Sequence, residues 1–170
     1  MIIPSSKFPN IQVPLINGTN WDLHRQKGQD FTLMVFYRGL HCPICKSYLE
    51  TLTEKLDEFK SENVHVIAIS CDTEERAKKA GRDWDISGLP IGYNFDINKA
   101  KELGLFISKA ISDDEPSKFS EPGVFLIKSD NTLYASSIQT MPFARPNFNE
   151  ILEAISYIKS NDYPARGTLS

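Results

Sequence analysis

Cysteine is scarce in this chain, with three in 170 residues at positions 42, 45 and 71, too few for the disulfide framework of a small secreted domain. A reducing compartment is the expectation, and any disulfide made there is catalytic or transient. No apolar run approaches the roughly 18 residues that a membrane helix needs. The opening stretch "MIIPSSKFPNIQVPLING" lacks a basic segment followed by an apolar one, so the protein is expected to be soluble, unexported and cytoplasmic. Positive charge is not in excess either. The formal net charge is -3 and the basic residues are scattered, which argues against a nucleic-acid partner. There is no dinucleotide-binding glycine pattern, and no metal, flavin or nicotinamide is expected. With no repeat, low-complexity tract or Gly/Ser-rich linker, residues 1–170 read as a single domain able to bury a core.

What is present is an alternation of short buried strands and amphipathic helices. Apolar stretches around Asn17-Gly18 predict an N-terminal hairpin with a type I′ turn. "DFTLMVFY", residues 30–37, is an almost unbroken apolar, β-prone run of the kind found in a strand buried on both faces. From Pro43 to about Lys60 the period becomes helical, with Tyr48, Leu49, Leu52, Leu56 and Phe59 on one face, Pro43 suited to the first helical position and Cys42 at the N-cap. "VHVIAIS" predicts a second strand and "DTEERAKKAGRDW" a second helix with its capping residue and first-turn acids. Strand, helix, strand in this order implies a right-handed parallel crossover. The loops after Tyr37 and Ser70 then open on one edge of the sheet, where α/β proteins place their sites. A short extended segment "LPIGYNFD", a short helix over 98–103, a surface loop over 104–120, a hairpin about Asp130-Asn131 and a final amphipathic helix in "NFNEILEAISYIKS" complete the chain.

The stretch "FYRGLHCPICKSYLETL", residues 36–52, carries the chemistry. A cysteine at a helix N-terminus meets free N–H groups and the positive end of the helix dipole, both of which favour thiolate over thiol. Cys45, three residues on, lies on the same face one turn further in, within reach of a short, reducible disulfide with Cys42. A closed zinc site would need four ligands, whereas Cys71 stands alone and the histidines are dispersed at 24, 41 and 65. A copper clamp of two cysteines and a late histidine is poorly served, since no histidine lies beyond His65. His41 is either an aid to the thiolate or a solvated neighbour. Arg38 stabilises the thiolate or forms an inter-element salt bridge. Gly39 supplies the backbone freedom that the turn into Cys42 requires. Tyr37 lines the pocket or belongs to the core, and Cys71 reads as an apolar filler at the end of a core strand.

The same segment resembles the active-site stretch of the peroxiredoxin-like (AhpC/TSA, redoxin) branch of the thioredoxin superfamily. The resemblance continues through "VPLINGTNWDL", "VIAISCDTEE", "PGVFLIKSDNTLYAS" and "MPFARPNFNEILEAI". It implies a thioredoxin fold, a three-layer α/β/α arrangement about a mixed central sheet, here with an N-terminal β-hairpin extension. It implies further that Arg145 opens the final helix and points at the reactive sulfur, and that Pro122 takes the place of the cis-proline set against the cysteines. Where peroxiredoxins carry a proline seven residues and a hydroxyl residue three residues before the attacking cysteine, this chain has Val35 and Gly39.

The expected activity is that of a thiol-dependent peroxidase acting on hydrogen peroxide or an organic hydroperoxide. Cys42 becomes a sulfenic acid with help from Arg145, Cys45 condenses with it, and a thioredoxin- or glutathione-type reductant restores the dithiol. The alternative keeps both cysteines and gives Cys42 a disulfide substrate. The resemblance also leaves room for a homodimer.

Overall fold

The computed structural model describes residues 2–169. It opens on an antiparallel hairpin of β1 (Gln12–Pro14) and β2 (Asn20–Asp22), in which Val13 faces Trp21. The turn differs from the expected type I′. Gly18 N–H donates to Leu15 O at 3.0 Å and Gly18 has φ +88°, whereas Asn17 is absent from the positive-φ residues. One left-handed residue after an ordinary turn is the three-residue hairpin, which needs only the glycine.

All six residues of β3 (Phe31–Phe36) are buried. Its side chains alternate between two cores, as the period of a strand dictates. Leu33 and Val35 join one cluster with Leu49, Leu52, Phe59, Leu152 and Ile155. Met34 and Phe36 join the other with Val13, Trp21, Ala100 and Phe125. Leu33, Val35, Met34 and Phe36, each at most 1% exposed, contribute roughly 1.5–3 kcal/mol apiece.

The helical pattern after β3 is split into α1 (Pro43–Glu54) and α2 (Leu56–Ser61). The break is at Lys55, whose φ and ψ are -98° and 0° and whose N–H reaches back to Leu52 O at 3.0 Å. β4 (Val64–Ile69) and α3 (Glu74–Asp83) follow, the helix capped by Thr73. The extended segment near Pro90 shrinks to β5 (Ile91–Gly92), and α4 (Ile97–Glu102) starts on the Asp96 side chain. β8 (Gly123–Lys128) and β9 (Leu133–Ile138) form the expected hairpin, with Asn131 at φ +62°, and α5 (Phe148–Asn161) closes the fold.

A further expectation fails. The stretch over 104–120 is not merely an irregular surface loop. It folds as an antiparallel ribbon of β6 (Ile107–Lys109) and β7 (Lys118–Ser120) around the acidic tip. The central sheet runs β5-β4-β3-β8-β9, with β4 parallel to β3 and to β5, and β8 antiparallel to β3 and β9. The apolar clusters place α1, α2, α3 and α5 on one face and α4 with the hairpin on the other. Because β3 and β4 are parallel, the turns after Tyr37 and Ser70 emerge side by side. Among the described residues no helix is long and apolar enough to cross a membrane.

Candidate active site

The chain leaves β3 at Tyr37 and turns sharply into α1. Gly39 has φ +136° and its carbonyl accepts the Cys42 N–H at 3.1 Å, closing a turn that delivers Cys42 to the N-cap of α1. Pro43 occupies the first helical position, where its missing N–H leaves nothing unpaired. Cys42 Sγ accepts the Cys45 N–H at 3.3 Å. Both cysteines are free thiols, 2% and 0% exposed.

Arg145 joins the two sulfurs. Its Nη2 lies 3.2 Å from Cys45 Sγ and 3.8 Å from Cys42 Sγ. Its Nε donates to Pro142 O at 2.8 Å, and its guanidinium carbon sits 5.3 Å from the centre of the Tyr48 ring. Tyr48 is itself clamped, donating its hydroxyl to Pro146 O at 2.6 Å and stacking on Phe148 at 4.3 Å. The segment before α5 is thus tied to α1, and a planar five-donor cation is fixed over the sulfurs.

The electrostatics separate the two thiols. Donation from the Cys45 thiol, the Cys45 backbone N–H and the charges of Arg145 and Arg38 together outweigh burial and pull Cys42 down to about 5. Burial, and then the neighbouring Cys42 thiolate, push Cys45 well above the usual thiol value. At neutral pH the site holds one thiolate beside one thiol.

The turn before Cys42 rests on Asp72, a residue with no obvious motif of its own. Its side chain is fully buried, and Oδ2 accepts the Leu40 N–H at 2.7 Å while Oδ1 accepts from Arg76 Nε at 2.9 Å. A Cβ on Gly39 would fall 2.7 Å from both carboxylate oxygens, so the glycine is required by space as well as by backbone conformation. Asp72→Ala is expected to cost about 2–3 kcal/mol in a urea titration, since it strips the Leu40 N–H of its acceptor and Arg76 of its partner. Asp72→Asn, which keeps an acceptor for Leu40, is expected to cost about half of that.

The remaining residues expected at the site fall into distinct places. His41 packs its ring 4.6 Å from that of Phe119 and sets Nδ1 3.4 Å from Arg76 Nη2, with no hydrogen bond to either sulfur. Burial and then the Arg38 charge hold it below its ordinary value, so the imidazole is neutral at pH 7. Arg38 forms the inter-element salt bridge, 3.3 Å from Glu121 and 3.8 Å from Glu115, with its guanidinium over Phe119 at 4.8 Å. It reaches Cys42 only as a more distant positive charge. Tyr37 is fully buried in the apolar cluster that includes both cysteines, its ring edge-on to Trp84. Cys71 packs against the cluster on the opposite face of the sheet.

Pro122 requires a correction. No peptide bond among the described residues is cis. The connection from β7 to β8 is held in a trans geometry by Glu121 N–H on Phe106 O at 2.7 Å and by Gln139 N–H on Pro122 O at 3.1 Å. Glu115, Phe119 and Glu121 escaped sequence reasoning altogether, because the three-residue strands of the ribbon carry too few alternating positions to be seen. No three His, Cys, Asp or Glu side chains among the described residues gather closely enough to hold a metal ion.

The chain as a whole is similar to known proteins. The AhpC/TSA family profile matches residues 4–136, and the chain belongs to that family. A 1-Cys peroxiredoxin of Onchocerca volvulus is 28% identical over 175 residues, spanning 92% of this chain and 73% of the relative. The crystal structure of peroxiredoxin 6 of Arenicola marina superposes with a TM-score of 0.76 at 22% identity, covering 94% of this chain and 74% of that one. The yeast mitochondrial 1-Cys peroxiredoxin does so with a TM-score of 0.77 at 19% identity, over 95% and 78%. The fold is the thioredoxin fold of these structures, with its mixed central sheet and helices on both faces.

Proposed function

We propose that this AhpC/TSA-family protein is a thiol-dependent peroxidase, an oxidoreductase whose attacking group is the Cys42 thiolate. The observation that carries the reading is Arg145, whose guanidinium reaches both sulfurs beside a Cys42 thiol lowered to about 5, first by donation from the Cys45 thiol and then by the Cys45 backbone N–H and the Arg145 charge. The thiolate forms a bond to the terminal peroxide oxygen as the O–O bond breaks. The leaving hydroxide or alkoxide, stabilised by the guanidinium, takes a proton from water, and Cys42 is left as a sulfenic acid. Cys45 then attacks that sulfur and the sulfenic oxygen departs as water, leaving a Cys42–Cys45 disulfide.

Two thiols of an external reductant restore the pair. The yeast relative, whose thiol is resolved via glutathione/thioredoxin systems, supports a reductant of that type. The relatives' 1-Cys designation leaves the part of Cys45 as our own assignment from its position. We read the compartment as cytoplasmic, on the three free thiols, and the homodimer rests on the resemblance.

Trp84 packs on Tyr37 in the same cluster as the cysteines and can report on them. Stopped-flow tryptophan fluorescence of the reduced protein with hydrogen peroxide should show a rapid phase that is absent in Cys42→Ser. A rate no faster than a free thiol of equal acidity would transfer Cys42 to another substrate.

With the thiolate as the reactive form, a low Cys42 value preserves reactivity into mild acid. The rate constant should be flat from pH 8 to pH 6 and fall tenfold per unit below about pH 5. A midpoint near the free-thiol value would contradict the site electrostatics.

A further inference from the structure

Three arginines stand around the turn into α1, and they differ in what balances their charge. Arg38 is paired with Glu121 and Glu115, and Arg76 with the buried Asp72. Arg145 has no carboxylate partner among the described residues. Its hydrogen bonds go to Pro142 O and to the two sulfurs, and its Nη1 is buried with no protein acceptor. The Cys42 thiolate is therefore the counter-ion of Arg145, and it exists only while the pair is reduced.

Closing a Cys42–Cys45 disulfide removes that negative charge. The guanidinium is left facing two neutral sulfurs, and the Cys45 N–H, which donates to Cys42 Sγ at 3.3 Å, loses its anionic acceptor as well. Both losses fall on the oxidised state alone. The groups that hold Cys42 at about 5 thus also favour the reduced pair, and a disulfide whose reduced form is stabilised is an oxidising one. Position sets the order of attack on it. Cys42 is at the N-cap beside exposed Pro43, whereas Cys45 lies one turn deeper with 0% exposure. An incoming thiolate meets Cys42 first and expels Cys45, whose sulfur has Arg145 Nη2 at 3.2 Å.

We propose that the oxidised pair passes its disulfide on, so that the protein is a peroxide-driven dithiol oxidase whose second substrate is a protein or peptide carrying two thiols. This rests on the peroxidase reading and names the partner of its second half. One thiolate of the partner bonds to Cys42 Sγ as the S–S bond breaks, and Cys45 leaves and takes up a proton. The partner's second thiol loses its proton and attacks the partner's own bonded sulfur, and Cys42 departs as the thiolate that Arg145 and the Cys45 N–H receive. Over the cycle one hydroperoxide ROOH and two thiols become ROH, water and one disulfide.

The first measurement mixes the full-length disulfide form, made with diamide, with reduced thioredoxin and reads the equilibrium by thiol alkylation. Electrons should pass to this pair with a constant of at least 100, which is about 60 mV above the thioredoxin couple. Arg145→Gln should lower that constant about tenfold. Arg145→Lys, which keeps the charge, should stay within threefold of the wild type although its peroxide rate falls, and that split separates a charge effect from a disturbed fold. The second measurement uses a flexible peptide with two cysteines. The disulfide form should oxidise it stoichiometrically, and a catalytic amount of protein with hydrogen peroxide should do so at least tenfold faster than peroxide alone. A constant below 100, one indifferent to Arg145→Gln, or a peptide left reduced by the disulfide form would overturn the oxidase. A peptide oxidised by the diamide-made form, with no oxidation of the pair by peroxide, would instead overturn the peroxidase reading and with it peroxide as the driver.

Discussion

Replacing Arg145 with Ala should lower the second-order rate constant for hydrogen peroxide about 100-fold, the loss typical of removing one preorganised donor from a developing oxyanion. Two contributions have to be separated. The guanidinium, 3.8 Å from Cys42 Sγ, favours the thiolate, and it is also placed to stabilise the oxygen that leaves. The first contribution vanishes at pH 8–9 if the other donors to Cys42, the Cys45 thiol and backbone N–H, still keep it ionised. The second does not depend on pH in that range. The deficit should therefore persist at pH 9, while alkylation of Cys42 by a neutral haloacetamide changes less than threefold there. Alkylation falling in step with the peroxide rate would reduce Arg145 to a setter of the thiolate fraction. Arg145→Lys should not rescue, because one ammonium cannot hold Pro142 O, lie over Tyr48 and face both sulfurs at once.

The reach of sequence reasoning is explained by distance along the chain. Cys42, Pro43 and Cys45 were legible because an N-cap, a first-turn proline and a one-turn cysteine spacing are local patterns with local consequences. Gly39 was legible for a similar reason, a turn squeezed between a buried strand and a helix, although the carboxylate that forbids a side chain there was not. Asp72 sits after β4 and meets the Gly39 turn only because β4 lies parallel to β3. Nothing in "SCDTEE" distinguishes such a buried anchor from an ordinary helix start.

The ribbon of β6 and β7 was hidden by its brevity and acidity, so Arg38 lacked its partners Glu115 and Glu121. The hairpin turn was misjudged because Asn-Gly suits two turn types, and the pairing of Pro14 with Asn20 selects the longer one. Pro122 was misassigned because position before a strand says nothing of peptide geometry. Trans is favoured in any X–Pro bond by about 0.5–1 kcal/mol unless its surroundings demand otherwise.

Cys45→Ala should uncouple the two halves of the cycle. At pH 8 the first oxidation of Cys42 proceeds at close to the wild-type rate, since Arg145 and the Cys45 backbone N–H remain. In mild acid it slows, because donation from the Cys45 thiol is the largest cause of the low Cys42 value, and without it the midpoint of the pH profile moves up from about 5. The sulfenic acid, with no neighbouring thiol to condense on, then persists and is trapped by a dimedone-type reagent, whereas the wild type loses two hydrogens and resists trapping. Turnover with a protein dithiol should fall at least tenfold, and a higher peroxide dose should drive the variant to the sulfinic acid. The burial that raises the Cys45 thiol is what makes this division workable. A protonated Cys45 neither competes for the peroxide nor repels the thiolate beside it, and it becomes a nucleophile only after Cys42 has lost its negative charge to oxygen. Trapping equal in the variant and the wild type would leave Cys45 as a donor to the thiolate alone, and the chain would then work through a single cysteine.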